Sequence, residues 1–181
     1  MTEPLEKTVR VDVDTGFFAE WKANVARKRS SSEVVMAVLR PDNKVLVASK
    51  TFYPGGVLRP LTGRIKNGED LRSALRRELF EETGFHDAGA EYTARLVTVL
   101  RSEGEELPFV SHYFMIPVTT AEPKPMDDTE PLVGFTDAGP EELDKIAEQL
   151  RNLPENWRGW GIFRAEAVDF LAHLLRSHPA S

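Results

Sequence analysis

The stretch from residue 63 to residue 85 constrains the fold of this chain more than any other part of it. It reads GRIKNGE over 63–69 and RELFEETGF over 77–85, with seven residues between the two blocks. From Asp70 to Thr83 the chain contains good helix formers and neither proline nor glycine. Gly84 follows, where a left-handed helix cap is expected. The pattern therefore predicts a helix over 70–83.

One face of the predicted helix changes character along its length. At about 100° per residue, one stripe begins with apolar side chains and ends with carboxylates: Leu71, Ala74, Leu75, Glu78 and Glu82. Leu79 and Glu81 flank this stripe. The opposite side carries Arg72, Ser73, Arg76 and Phe80. The glutamates are therefore not simply the solvated face of the helix, and carboxylates that face a core require a partner because burying an unpaired charge is expensive.

Two interpretations of these carboxylates are open. They could form a surface charge cluster in which Arg77 and Glu81 make an ordinary i,i+4 ion pair. They could instead hold a cation, which the positions of Gly63, Glu69 and Gly84 around them favour. Oxygen ligands without cysteine or histidine nearby suit Mg²⁺ or Mn²⁺ and not Zn²⁺.

The complete pattern G-x5-E-x7-R-E-U-x-E-E-x-G-U, in which U is apolar, resembles the signature box of the Nudix hydrolases from Gly63 to Phe85. The resemblance implies a Nudix-type α/β/α sandwich around a mixed β-sheet, with the box forming a loop–helix–loop at the active site. It also implies Mg²⁺-dependent hydrolysis of a diphosphate bond in a nucleoside diphosphate derivative, by attack of water on phosphorus.

The resemblance assigns roles within the box. Glu78, Glu81 and Glu82 would hold Mg²⁺ or Mn²⁺ together with the carbonyl oxygen of Gly63, while Arg77 would orient the glutamates. Glu69 would brace the helix.

The general base is either a box glutamate or an acidic residue of a later loop. The candidates outside the box are Glu103, Glu105, Glu106, Glu122, Asp127, Asp128 and Glu130. We select Glu130 because it directly precedes a predicted strand beside the site.

Residues for substrate binding are less well specified. Arginine grips phosphate oxygens in a bidentate manner, and the candidates are Arg59, Arg64, Arg95 and Arg101. His112 is more typical of a hydrogen-bonded structural residue than of a catalyst. Trp157, Trp160 and Phe163 either stack a nucleobase or, as the pattern favours, form core or dimer contacts. Thr62 stands where many family members have glycine, and the stretch 101–103 lacks the proline or tyrosine that marks some subclasses, so the substrate is not specified.

Composition excludes several classes of protein. The chain of 181 residues is 41% hydrophobic and 29% charged, as in ordinary soluble proteins. Its net charge of −6 argues against a general nucleic-acid binder. The absence of cysteine excludes disulfides and disfavours isopentenyl diphosphate isomerase, which shares the implied fold and uses a cysteine. The N-terminal residues lack the apolar core of a signal peptide and no run is long enough to span a membrane, so we expect a cytoplasmic protein.

The order of the elements suits an α/β sandwich. Strands are predicted over 9–13, 34–39, 45–49, near Val57, and over 96–101, 109–118 and 132–135. The other helices are predicted over 15–29, 141–151 and 161–176. An acidic loop over 102–107, a polar excursion over 119–131 and a connector over 152–160 are predicted between them. We expect a single domain over 1–181, with a core at about 32–151 and the elements over 9–29 and 161–176 as additions.

The resemblance leaves one functional alternative, a non-catalytic sensor of nucleotides or metabolites on the same fold. It further implies a small-molecule nucleotide substrate and a homodimer. From the acidic net charge we expect no DNA binding.

Overall fold

The computed structural model describes residues 3–127, 129 and 132–177. Its strands are β1 (Leu5–Asp12), β2 (Ser32–Arg40), β3 (Lys44–Lys50), β4 (Arg59–Arg64), β5 (Glu91–Ser102), β6 (Glu105–Ile116) and β7 (Leu132–Ala138). Its helices are α1 (Thr15–Lys28), α2 (Leu71–Thr83), α3 (Pro140–Arg151) and α4 (Glu155–Ser177). A 3₁₀ turn, Pro54–Gly56, precedes β4.

The strands form one mixed sheet in the order β1-β5-β6-β2-β4-β3-β7. The pairs β1–β5 and β2–β6 are parallel, and the other neighbouring pairs are antiparallel. Strand β2 also pairs with β3 through Leu39 and Val45. The predicted α/β class with a mixed sheet is confirmed.

Helices cover both faces of the sheet, and the alternation of side chains along β2 explains why. Val34 and Met36 belong to a buried cluster with residues of α2, whereas Val35 and Ala37 belong to a second cluster with residues of α3 and α4. A strand covered on both faces is apolar throughout. A third cluster, which contains Phe18, joins α1 to α4 and to β6. Among the described residues, no helix combines the length and apolar character needed to cross a bilayer.

Three predicted boundaries were wrong. The strand expected near Val57 lies at Arg59–Arg64 instead, and Val57 follows the 3₁₀ turn. The acidic loop over 102–107 is mostly strand, because β5 and β6 are joined at Glu103 and Gly104, which both have positive φ. Such φ values are typical of a tight hairpin.

The third wrong boundary is the connector over 152–160, since α4 begins at Glu155. The first turns of α4 contain two glycines, Gly159 and Gly161, and both permit close packing. A Cβ at Gly159 would lie 2.5 Å from Cβ of Phe17, and one at Gly161 would lie 2.0 Å from the carbonyl oxygen of Leu150.

The N-terminal strand is longer than the predicted 9–13 and adds an edge to the sheet. All eight residues of β1 pair with β5, from Leu5 opposite Ala94 to Asp12 opposite Arg101. The wider expectation, a single domain over 1–181 with a core at about 32–151, stays a prediction.

Candidate metal and active site

Helix α2 is fixed at both ends by residues of the sequence pattern. The side chain of Asp70 accepts hydrogen bonds from the backbone N–H groups of Arg72 and Ser73, each at 3.0 Å. Gly84 adopts the left-handed conformation at φ 73°, and its N–H donates to the carbonyl of Phe80 at 2.8 Å. The predicted helix and its glycine cap are confirmed.

The acidic end of the stripe faces inward, as predicted. Glu78 is 9% exposed and Glu82 only 1% exposed, while Glu81 is half-buried. The four residues expected on the opposite side are all exposed: Arg72, Ser73, Arg76 and Phe80.

Gly63 leaves the space that Glu78 occupies. It lies in β4, opposite Val34 of β2. A Cβ built on Gly63 would lie 1.9 Å from Cγ and 2.1 Å from Cδ of Glu78. No side chain other than hydrogen therefore fits here while Glu78 keeps its position. The glycine brings the backbone of β4 and this carboxylate together.

Arg77 forms ion pairs with three glutamates of the box, Glu69, Glu78 and Glu81. Its Nε and Nη2 each donate to Glu69 at 2.8 Å, and Nη1 donates to Glu78 and, at 3.4 Å, to Glu81. Nη2 also donates to the carbonyl of Arg64 at 3.1 Å, which ties the helix to the end of β4. The hydrogen bonds from Arg77 hold the pKa of the Glu69 carboxyl below its ordinary value. The same bonds raise the pKa of Arg77, despite its partial burial.

Glu82 faces a different set of residues. The Nζ atom of Lys50 lies 3.4 Å from its Oε1. A cavity of about 10 Å³ adjoins this pair, and its lining includes Tyr53, Arg59 and Thr62.

The Arg59 guanidinium forms the buried wall of that cavity, since only 8% of the residue is exposed. It donates to the hydroxyl of Tyr53 at 3.0 Å and to the hydroxyl of Thr62. Burial opposes its charge, but Tyr53, Glu33 and Glu82 together outweigh burial, and the net pKa of Arg59 is raised.

A buried ion pair lies behind Arg59. Nη1 of Arg164 donates to both carboxylate oxygens of Glu33 at 2.8 Å, and the hydroxyl of Ser111 donates to Oε1 at 2.9 Å. Burial alone would raise the pKa of Glu33, but Arg164 and Arg59 lower it overall. Glu33 is therefore a buried carboxylate that stays charged.

The segment over 119–127 runs along the end of α2. The N–H of Lys124 donates to the carbonyl of Thr83, and the N–H of Met126 donates to the carbonyl of Glu81, both at 2.9 Å. The buried guanidinium of Arg40 holds the start of this segment, donating to the carbonyls of Thr119 and Ala121 at 2.8 Å. The 119–127 segment thus donates hydrogen bonds to two carbonyls in the last turn of α2.

The candidates for the general base are spread over two regions. Asp127 lies in the 119–127 segment and accepts hydrogen bonds from Thr129. Glu130, our selected candidate, and Asp128 lie outside the described residues. Glu105 pairs with Lys22 at the β5–β6 hairpin. Glu103 and Glu106 belong to the same hairpin, and Glu122 is exposed in the 119–127 segment.

The other candidate arginines bind protein groups. Arg64 donates to the carbonyl of Ser30 at 2.6 Å and to Asn24 at 2.8 Å. Arg101 forms a double hydrogen bond with Asp12, at 3.0 and 3.1 Å.

Two more predicted residues have partners within the sheet. Arg95 pairs with Glu6 at 3.2 Å. His112 lies 3.0 Å from the hydroxyl of Tyr92, and burial lowers its pKa.

Sequence reasoning missed four residues that shape the site: Lys50, Tyr53, Glu33 and Arg164. Lys50 ends a strand and Tyr53 follows in a loop, and no motif marks either position. Glu33 carried the one available signal, because it is a charged residue directly before an apolar strand.

The donor chemistry of this region fits a divalent cation. The glutamates of α2 supply carboxylate oxygens, and the missing Cβ of Gly63 opens the backbone of β4 to Glu78. Within residues 3–127, 129 and 132–177, no three histidine, aspartate or glutamate side chains already form a metal-holding group. Arg77 instead spans three of the carboxylates.

A comparison with known families identifies the family of this chain. The model of the NUDIX domain matches residues 30–156. This chain belongs to the Nudix family. The resemblance drawn from residues 63–85 is confirmed, and the match covers β2 to the first residues of α4. Helix α1 and most of α4 lie outside it.

Relatives of known activity match only in part. The NAD-capped RNA hydrolase NUDT12 of Homo sapiens is 35% identical over 72 residues, which cover 39% of this chain and 16% of that protein. Nudix hydrolase 25 of Arabidopsis thaliana is 47% identical over 51 residues, which cover 28% of this chain and 29% of that protein. The Nudix chain described here therefore spans less than a third of either relative.

Solved structures support the fold. The dihydroneopterin triphosphate pyrophosphohydrolase of E. coli has a TM-score of 0.52 at 13% identity, covering 80% of this chain and 96% of that one. The Bacillus subtilis pyrophosphohydrolase BsRppH has a TM-score of 0.51 at 17% identity, with coverages of 84% and 85%. At such identities the likeness extends to the fold alone.

Proposed function

We propose that this Nudix chain hydrolyses a diphosphate bond in a nucleoside diphosphate derivative, with Mg²⁺ or Mn²⁺ as cofactor and water as nucleophile. One observation carries the proposal: the inward carboxylate of Glu78 lies against Gly63 of β4, which has no room for a side chain. An ordinary surface helix would not require this arrangement.

The box residues would have two roles, binding the cation and orienting its ligands. Glu78, Glu81 and Glu82 would hold the cation with the carbonyl of Gly63, and Arg77, braced by Glu69, would orient the glutamates. When bound, a divalent ion neutralises the diphosphate and lowers the pKa of bound water.

Residues beside the box would bind the substrate and accept the proton. Arg59 and Lys50 adjoin Glu82 and would attract a phosphate, because arginine and lysine pair with phosphate oxygens. Arg64 and Arg101 stay weaker candidates, since neither is among the described residues that line the cavity beside Glu82. Glu130 stays our candidate for the general base.

The names of the relatives support this class of substrate. They are a hydrolase of NAD-capped RNA and a pyrophosphohydrolase of dihydroneopterin triphosphate. We also expect a homodimer, a cytoplasmic location and no DNA binding, and light scattering would test the first of these.

The decisive experiment is a hydrolysis screen over nucleoside diphosphate derivatives with Mg²⁺, in which both products are identified. We expect Glu82→Gln to lower turnover by more than about 100-fold, since even outer-shell partners of metal ligands are worth about 10- to 100-fold. Glu148→Gln is the matched control, because it removes an exposed carboxylate from another helix. Unchanged turnover in Glu82→Gln would sink the proposal.

A sensor on the same fold is the alternative. Tight nucleotide binding without turnover in any divalent metal would favour it over hydrolysis.

A further inference from the structure

An aromatic groove lies between α1 and the start of α4. Its lining includes Phe17, Trp21 and Asn24 of α1 and Asn156, Trp157 and Trp160 of α4. We call it the α1–α4 groove. All three tryptophans of the chain line it. Its volume of about 390 Å³ falls in the range of about 300–1,000 Å³ that small-molecule sites occupy.

The groove depends on close packing of the two helices. Gly159 stands between the two tryptophans of α4, and a Cβ there would lie 2.5 Å from Cβ of Phe17. The glycine therefore lets α4 approach α1 and brings the tryptophans of both helices to one opening. All the same, the indoles of Trp21, Trp157 and Trp160 are only half-buried. The aromatic cluster is thus not simply core.

Arginines behind the rings select against a cationic occupant. The guanidinium of Arg64 lies 5.1 Å and that of Arg164 5.5 Å from the ring centre of Trp21. Arg59 lies 6.0 Å from the ring centre of Trp160. These rings already bind positive charge through their faces, so a further cation would meet like charge. A neutral aromatic ring would not.

Polar groups on the lining suit hydrogen bonding to such a ring. Glu20, which is exposed, supplies a carboxylate, while Asn24 and Asn156 supply amides. The carboxylate accepts from ring amino groups but repels phosphate. A ligand with both parts would place its ring in the groove and its phosphates elsewhere.

The groove and the acidic site share a wall. The ring centres of Trp160 and Tyr53 lie 5.1 Å apart, and Arg59 contacts both rings. Tyr53 and Arg59 also line the cavity beside Glu82. Trp160 on the groove side and Tyr53 and Arg59 on the cavity side therefore separate the aromatic opening from Glu82.

We infer that the α1–α4 groove binds the nucleobase of the substrate, a neutral, amino-bearing aromatic heterocycle. The inference rests on the proposed function, because it assigns one part of the same substrate. The groove is formed almost entirely by residues outside the 30–156 that match the family model, so it is a feature of this chain's own terminal helices.

Nucleosides without phosphate test the groove separately from catalysis. Because all the tryptophans line it, intrinsic fluorescence should change saturably in the absence of metal with adenosine, guanosine or cytidine, whose bases carry an amino group, and much less with uridine, whose base carries none. Inorganic pyrophosphate should cause no change. Glu82→Gln should bind the nucleoside as well as the native protein does, so failure of the proposed function leaves this readout intact.

Two substitutions of Trp157 separate stacking from packing. We expect Trp157→Leu, which keeps apolar volume but no aromatic ring, to raise KM for the best nucleotide substrate about 10-fold with kcat nearly unchanged. Base–aromatic stacking corresponds to roughly 5- to 150-fold. Trp157→Phe should restore most of the affinity. The melting temperatures of both variants establish that each is folded.

Several outcomes would overturn the inference. Turnover without nucleoside binding would rule out the inference about the groove and would leave the proposed hydrolase activity standing. Phe52, 58% exposed beside Tyr53, is the rival stacking surface. A KM raised by Phe52→Ala and not by Trp157→Leu would place the base there. Fluorescence that changes with protein concentration alone would show that a second copy covers the groove.

Discussion

Two clusters of charged side chains lie on opposite faces of the sheet and follow different rules. On the α4 face, Glu33 has Arg164 as its direct ion-pair partner, and Ser111 bonds the same carboxylate. On the α2 face, the ion pairs described join four carboxylates, Glu69, Glu78, Glu81 and Glu82, to two cations, Arg77 and Lys50.

This is the difference that we expect between a structural ion pair and the proposed metal site. A buried pair in balance needs nothing further, and removing one partner leaves the other uncompensated. A cluster with surplus carboxylates is stabilised by an added cation. Burial alone does not distinguish the two clusters, whereas the arginine ion pairs do: Arg164 pairs with one carboxylate and Arg77 with three.

The largest effect on stability should come from the balanced cluster. Arg164→Met should lower the free energy of unfolding by about 3–5 kcal/mol, because Glu33 would remain buried and unpaired. Lys22→Ala, which breaks the exposed pair with Glu105, should cost less than about 1 kcal/mol. Urea unfolding measures both, and similar losses in the two variants would contradict the comparison.

The next largest effect should come from a substitution that fills the space at Gly63 in the acidic cluster. Gly63→Ala should cost about 1–3 kcal/mol, as expected for overpacking, and abolish most turnover because Glu78 must move. The double variant with Glu78→Ala should regain stability, since the clash disappears, but not activity. Stability that stays low in the double variant would show that the glycine serves another purpose.

A cation should stabilise the acidic cluster more modestly. Mg²⁺ at tenfold excess over its Kd should add about 1.4 kcal/mol to the free energy of unfolding. The gain should be absent in Glu82→Gln and unchanged in Glu148→Gln. Thermal unfolding with Mg²⁺ and with a chelator measures it, and an equal gain in all three proteins would indicate binding elsewhere.

The smallest effect should be on the pH dependence of the free energy of unfolding. Since Arg164 and Arg59 outweigh burial and lower the pKa of Glu33 on folding, its charge stabilises the fold above the unfolded pKa, and this contribution is lost as the pH falls through the folded pKa. The stability gap between the native protein and Glu33→Gln should therefore narrow between neutral pH and about pH 3. A gap that widened would reverse the sign of the assigned shift.

The sequence predicted the box helix well because local rules govern it. Asp70 and Gly84 cap it, and the apolar stripe fixes its face without help from distant residues. The misplaced boundaries depend on pairing or packing with residues outside the misread segment. Glu105 and Glu106 resembled a loop, yet they pair with the end of β5.

The same limit applies to the site. The carboxylates of α2 could be placed on one face by counting residues, but the wall around Arg59 could not. Tyr53 and Trp160 are separated by more than a hundred positions in the chain, and only folding brings their rings together. The sequence predicted the ion pair between Arg77 and Glu81, and the structure adds Glu69 and Glu78 to the partners of the same guanidinium.

The backbone bonds between the 119–127 segment and α2 have a consequence for protein engineering. Loops of this kind are natural places to exchange when a new substrate is wanted. Here the loop donates hydrogen bonds to the carbonyls of Glu81 and Thr83, so a transplanted loop would also change the alignment of the glutamates that we propose as metal ligands. Exchanging the loop would then change specificity and turnover together, and a successful graft should include the last turn of α2.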